Sequence, residues 1–251
     1  MFLNHNVPSS GKQAIISLVP SLSELLFDLG LQNDVIGITK FCIHPDEWFR
    51  SKIKIGGTKT IDIDKITSLK PSLIIANKEE NVQTQVEALS DFPVWLTDVN
   101  NYEDALQMIA DLGKITGRSE KANMLVEQIS QAFSEIKPNQ NPLRVAYLIW
   151  KDPYMTVGSD TFIHDMIIRT GMRNVFEDRI RYPQVSVDEI KNSGSDVLLL
   201  SSEPYPFKQK HVEELKKLLP KIEIRIVDGE MFSWYGSRLL KAAPYLKNLQ
   251  L

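Results

Sequence analysis

The sequence predicts an α/β chain of two lobes with like topology, each a parallel sheet flanked by helices, joined by a long helical connector. Three observations carry this. Short apolar, β-rich runs alternate with amphipathic helical patterns. Residues from about 101 to 136 contain no strand candidate. Two stretches, "IDKITSLKPSLIIANKE" (63–79) and "VDEIKNSGSDVLLLSSE" (187–203), align without a gap over 17 positions at an offset of 124. The implied division is a first lobe over 1–100, a connector over 101–140 and a second lobe over 141–251.

Taken in order, "AIISLV" (14–19) reads as a buried strand, and the helix after it opens with Ser21 and Glu24 at capping-box spacing. "VIGIT" (35–39), "LIIA" (73–76) and "VWLT" (94–97) are further strands of the first lobe. "NYEDALQMIADLGKITG" reads as a helix ending at Gly117, and a second helix begins at Ser119. Its apolar positions Ala122, Leu125, Val126, Ile129, Phe133 and Ile136 form one stripe. Such a helix spans about 27 Å, enough to run along two neighbouring lobes. "KPNQNP" (137–142) breaks it. "RVAYLIW" (144–150), "DVLLLS" (196–201) and "EIRIVD" (223–228) supply the strands of the second lobe.

Composition excludes several classes. The net charge of -3 gives no electrostatic reason to expect nucleic acid. No apolar run approaches the length of a membrane span. The start, "MFLNHNVPSSGKQAIISLVP", reads as a short tail leading into a strand, with neither the basic start nor the cleavage site of a secretory signal. The expectation is a cytoplasmic protein if Met1 is the true start, and a periplasmic or membrane-associated one if the chain was trimmed. The single Cys42 excludes an internal disulfide. No G-x-S-x-G elbow, P-loop, G-x-G-x-x-G or H-E-x-x-H is present, and "IGGTKT" (55–60) lacks phosphate-loop spacing. A binding protein is expected, not an enzyme.

The repeat sets Glu79 opposite Glu203, each just past a strand. Acid–base catalysis needs two carboxylates in one pocket. Acids on separate lobes suit docking on a basic partner, where charge fixes orientation more than it supplies affinity.

"ISLVPSLSELLFDLGLQNDVIGIT", "KITSLKPSLIIA" and "RYPQVSVDEI", in an order of lobe, helical connector and lobe, resemble the cobalamin and ferric-siderophore family of ABC-transporter substrate-binding proteins. The resemblance covers nearly the whole chain. It implies two Rossmann-like lobes bridged by a rigid helix that limits their motion. It also implies a cleft between them for a metal chelate: a cobalamin-like corrinoid first, or a ferric siderophore or heme. One glutamate per lobe would meet arginines of the permease; by position these are Glu79 (or its neighbour Glu80) and Glu203. The family's export signal is missing, so a cytoplasmic sensor or carrier of the same ligand class, or an enzyme acting on a corrinoid, stands as the alternative.

Ligand contacts are expected in loops that follow strands. "TKFCIHPDEW" (39–48) supplies Cys42, His44 and Trp48. Two ligands rarely close a metal site, so a loop Cys and His without such a role is the favoured reading, although His44 could still approach an open face of a metal chelate. The second lobe adds Trp150 and Tyr154, then Arg179, Arg181 and Tyr182, then Phe232, Trp234, Tyr235 and Arg238. Any single aromatic here can be a core plug. As a set, aromatics and forked guanidinium donors suit a large planar ligand with acidic or amide edges. His164 lies in a helical pattern and reads as structural. A monomer is expected, with no protein metal site and no resident cofactor; cobalt or iron would arrive inside the ligand.

Overall fold

The computed structural model describes residues 2–4, 13–137 and 141–249. The tail read from the first dozen residues therefore lies mostly outside the described residues, as does the centre of the "KPNQNP" break. The chain divides into two units: Met1–Val99 with Glu103–Gln128 and Tyr235–Arg238, and Asn100–Tyr102 with Ile129–Trp234 and Leu239–Leu251.

The first unit holds β1 (Phe2–Asn4), β2 (Ile15–Ser17), α1 (Pro20–Asp28), β3 (Val35–Ile38), α2 (Asp46–Ser51) and β4 (Ile53–Lys54). It continues through α3 (Ile63–Ser68), β5 (Leu73–Asn77), α4 (Gln83–Glu87) and β6 (Val94–Thr97). Its sheet runs β1-β6-β5-β2-β3-β4. All neighbours are parallel except β1, which pairs antiparallel with β6. β2 and β5 are buried at every position, which explains their unbroken apolar runs: a parallel strand covered on both faces has no solvent side. The edge strands β1 and β4 escaped the sequence reading because three and two residues carry no periodicity.

The expected capping box at Ser21 and Glu24 does not form. Pro20 takes the first helical position, where its missing N–H costs nothing, so α1 begins after Val19 and no side chain caps it. Ser21 and Glu24 are buried instead.

The helical stretch is α5 (Tyr102–Ile115) and α6 (Ser119–Ser134). Its residues Glu103–Gln128 belong to the first unit, and those from Ile129 on to the second. Along α6 the stripe residues Ala122, Leu125, Ile129 and Phe133 are buried and Val126 half-buried; Ile136, also half-buried, lies just beyond the helix. Phe133 packs against Tyr102 with the rings tilted, their centroids 4.7 Å apart.

The second unit comprises β7 (Arg144–Leu148), α7 (Phe162–Arg169), β8 (Arg173–Asn174), α8 (Val187–Asn192) and β9 (Val197–Ser201). It then adds α9 (Gln209–Leu218), β10 (Glu223–Val227), α10 (Glu230–Ser233) and α11 (Leu239–Lys247). The sheet is parallel throughout, in the order β10-β9-β7-β8. Ala146, Leu148, Leu198 and Leu200 from its centre pack with Ile190 of α8 and Leu215 of α9.

The internal repeat is matched element for element. α3 and α8 coincide at the offset of 124, and so do β5 and β9. The caps coincide too: Asp62 accepts from the Lys65 N–H at 3.0 Å and Ser186 from the Glu189 N–H at 3.1 Å. After each helix one residue turns left-handed, Lys70 with φ +48° and Gly194 with φ +73°. A side chain there costs roughly 1 kcal/mol that glycine avoids.

Candidate functional site

In each parallel sheet the strand order changes direction at one place. In the first unit this lies between β2 and β5, in the second between β7 and β9. Loops leaving the carboxyl ends of such strands diverge and open a crevice, the usual ligand edge of an open α/β sheet. The residues at these exits are therefore the candidate site.

In the first unit, Ser17, Ser23, Thr39 and Cys42 join in a buried chain, with Ser23 Oγ 2.9 Å from Ser17 Oγ and 3.0 Å from Cys42 Sγ. Burial pushes the Cys42 thiol up, though the Ser23 and Thr39 hydroxyls pull it back. The loop beyond β3 turns Phe41 (51% exposed) and Ile43 outward, with Lys40 Nζ 5.2 Å from the Phe41 ring. His44 beside them is half-buried. At the β5 exit, buried Asn77 builds the corner: its Oδ1 accepts from the N–H of Glu79 at 2.8 Å and of Glu80 at 3.1 Å. Both acids are half-buried. Burial raises the Glu80 pKa, against the pull of Lys59.

In the second unit, residues 149–159 fold back over β7 and pair with 179–185. The Thr156 N–H donates to Pro183 at 3.0 Å and the Gly158 N–H to Arg181 at 2.7 Å. This pairing projects Ile180 (70% exposed), Arg181 and Tyr182, the guanidinium lying 5.7 Å from the Tyr182 ring. At the β7/β9 exit, Trp150 (40% exposed) stands edge-on to Tyr205 at 5.7 Å. Tyr205 in turn packs on Phe207 and buried His211. The Pro-Tyr-Pro knuckle at 204–206 thus seats an aromatic cluster. His211 Nδ1 accepts from the Lys208 N–H at 2.9 Å, and burial lowers its pKa. Glu203, on the same knuckle, has Oε1 engaged within its own unit by Ser233 Oγ at 2.6 Å and Trp234 Nε1 at 2.9 Å.

Several expected ligand residues are placed as structural side chains. Cys42 and Phe232 are fully buried, and Trp48 nearly so beneath Phe27 and Lys52. Phe232 packs on Tyr147 because the segment after β10 coils into α10 and carries the ring inward. Trp234 and Tyr235 are buried. Arg238 is buried too, its Nε 2.7 Å from Glu24 Oε2. Arg179 lies over Phe176 and pairs with Glu189 at 2.6 Å. That carboxylate is lowered to about 2 by the Ser186 N–H first and Arg179 next. Tyr154 packs half-buried against the core of the second unit, and His164 is held through Nδ1 by Asn174 at 3.2 Å. His44, Trp150, Arg181 and Tyr182 remain at the strand exits with exposed surface. Phe41, Ile43 and Ile180 were not singled out; a bulky apolar residue inside a loop of charged neighbours was the available signal. Among the described residues, no group of three or more His, Cys, Asp or Glu is arranged to hold a metal ion, and no helix is long and apolar enough to cross a membrane.

Fold and exits together define a binding protein with two α/β units, and comparison with known proteins supplies the class. The model of the "Periplasmic binding protein" family matches residues 15–218. The chain belongs to that family. A curated relative, the vitamin B12-binding protein of Yersinia pestis (strain Pestoides F), is 23% identical over 250 residues, covering 96% of this chain and 87% of its own. Among solved structures, the periplasmic heme-binding protein RhuT from Roseiflexus sp. RS-1 superposes with a TM-score of 0.81 at 22% identity, covering 94% of this chain and 97% of RhuT. A possible iron-binding, periplasmic solute-binding protein from Staphylococcus epidermidis ATCC 12228 gives 0.79 at 23%, covering 95% and 98%. The relatives are binding proteins by name, as was expected of this chain.

Proposed function

We propose that this chain is the substrate-binding protein of an ABC-type importer and takes a metal chelate on the carboxyl-edge loops of its two sheets. The observation that carries the reading is the set of large apolar side chains held outward at those exits: Phe41 and Ile43 in one unit, Trp150 and Ile180 in the other. Lys40 lies over the Phe41 ring, His44 and Arg181 follow Ile43 and Ile180 in the chain, and Trp150 stands edge-on to Tyr205. Apolar faces with interspersed donors suit a broad macrocycle with amide or acid edges, and they gain by being covered. The relatives' names divide among vitamin B12, heme and iron, and a cobalamin-like corrinoid takes first place, a ferric siderophore or heme following.

Docking on a permease is assigned to Glu79, which the Asn77 corner sets at the β5 exit. Glu203 was expected to act with it, and its Oε1 also ties the corner argued below. Calorimetric titration with cobalamin, cobinamide, heme and ferric siderophores tests the reading. One-to-one binding of one of them is expected; no binding across the panel would overturn it. The Glu79→Lys variant should bind the same chelate unchanged, yet no longer associate with vesicles carrying the permease.

A further inference from the structure

We propose that Glu203 is a positioning residue whose carboxylate locks the turn after β10, and with it the Trp234 ring, onto the exit of β9. The observations converge from both strands. Glu203 Oε1 accepts from Ser233 Oγ and from the Trp234 indole N–H. The backbone of the same corner is tied as well. Ser201 Oγ donates to the Glu203 carbonyl, the Ser202 N–H to Val227 at 3.0 Å, and the Gly229 N–H to Ser202 Oγ at 3.0 Å.

The fit leaves no slack. A Cβ on Gly229 would lie 2.3 Å from Ser201 Oγ and 2.7 Å from Glu203 Cγ, so the two exits interlock only through a glycine. Trp234 is 8% exposed, and a buried indole N–H requires an acceptor. Glu203 is that acceptor. The first unit builds its equivalent corner differently, using Asn77 to hold the backbone of Glu79 and Glu80. The repeat therefore conserves the corner while changing which side chain secures it.

The inference stands apart from the proposed function, and its test is read without ligand or permease. In ¹⁵N-labelled protein, hydrogen exchange of the four tryptophan indoles is followed, Trp234 being assigned by its loss in W234F. Glu203→Gln retains an oxygen at the same reach and should leave Trp234 protected. Glu203→Ala and Glu203→Asp, the latter keeping the charge but one methylene short, should speed Trp234 exchange about tenfold or more with the other indoles unmoved. Glu203→Asp also serves if Glu203→Ala does not fold. Unchanged Trp234 exchange in the Asp and Ala variants would overturn the inference, and so would exchange in Glu203→Gln as fast as in Glu203→Asp. Chelate titration reads the binding function separately, so a protein that binds no chelate still reports on Glu203.

Discussion

Two side chains pair against the ordinary preference of charge for water. Glu24 and Arg238 are 7% and 6% exposed at their side chains and meet at 2.7 Å. Removing one partner leaves the other buried and uncompensated, so Arg238→Met should cost about 3–5 kcal/mol in urea unfolding. The double variant Glu24→Leu with Arg238→Met should recover part of that loss; a double variant less stable than the single would mean packing, not charge, is at stake. His211 gives a pH dependence. Its Nδ1 accepts from the Lys208 N–H, and Lys151, Lys208 and Lys210 oppose its protonation while Glu214 favours it. Burial lowers its folded pKa below 6.5, and His164 is lowered for the same reason. The unfolded chain then binds more protons than the folded one as pH falls from 6.5, so stability is full above that pH and declines below it. Unfolding at pH 7.5 and 5.5 should show the loss. His211→Asn, with an oxygen in the place of Nδ1, should reduce it.

At the scale of elements, the 150–159 and 179–185 loops are held by one close approach. A Cβ on Gly158 would sit 2.5 Å from the Arg179 carbonyl oxygen and 2.6 Å from Ile180 Cα. Neither contact is with a flexible side-chain end, so Gly158→Ala must shift the backbone that presents Ile180 and Arg181. We expect a loss of roughly 1–3 kcal/mol in stability and weaker chelate binding, both read by melting with and without ligand; wild-type values for both would show that the loops adapt. This pairing was not legible in the sequence, because isolated bridges such as Met155 with Gln184 leave no periodic pattern. The long-range repeat was legible, because each copy carries its own cap and apolar strand: Asp62 with Leu73–Asn77, Ser186 with Val197–Ser201. Aromatics defeated the reading where a loop coils. Phe232 and Trp150 both follow strands, but α10 turns the first inward while the fold-back leaves the second at the surface.

For the whole molecule, the distinction between aromatic core and aromatic site becomes a functional test. Phe232 is fully buried against Tyr147, whereas Trp150 touches Tyr205 by its edge and is 40% exposed. Ile180 is 70% exposed. Truncating an exposed side chain removes little from folding, within about 0.5–1 kcal/mol, but removes the full contact from a ligand that covers it. Trp150→Ala and Ile180→Ser should therefore weaken chelate binding by at least about tenfold while leaving the melting temperature of the ligand-free protein nearly unchanged. Phe232→Ala should do the reverse: a cost of about 3–5 kcal/mol to folding, with affinity lost only as far as the fold is lost. Calorimetry paired with thermal melts separates the two patterns. If Trp150→Ala and Ile180→Ser bind chelate as the wild type does, the outward apolar side chains serve some other partner, and the ligand must be sought among the half-buried residues His44 and Tyr182 at the same exits.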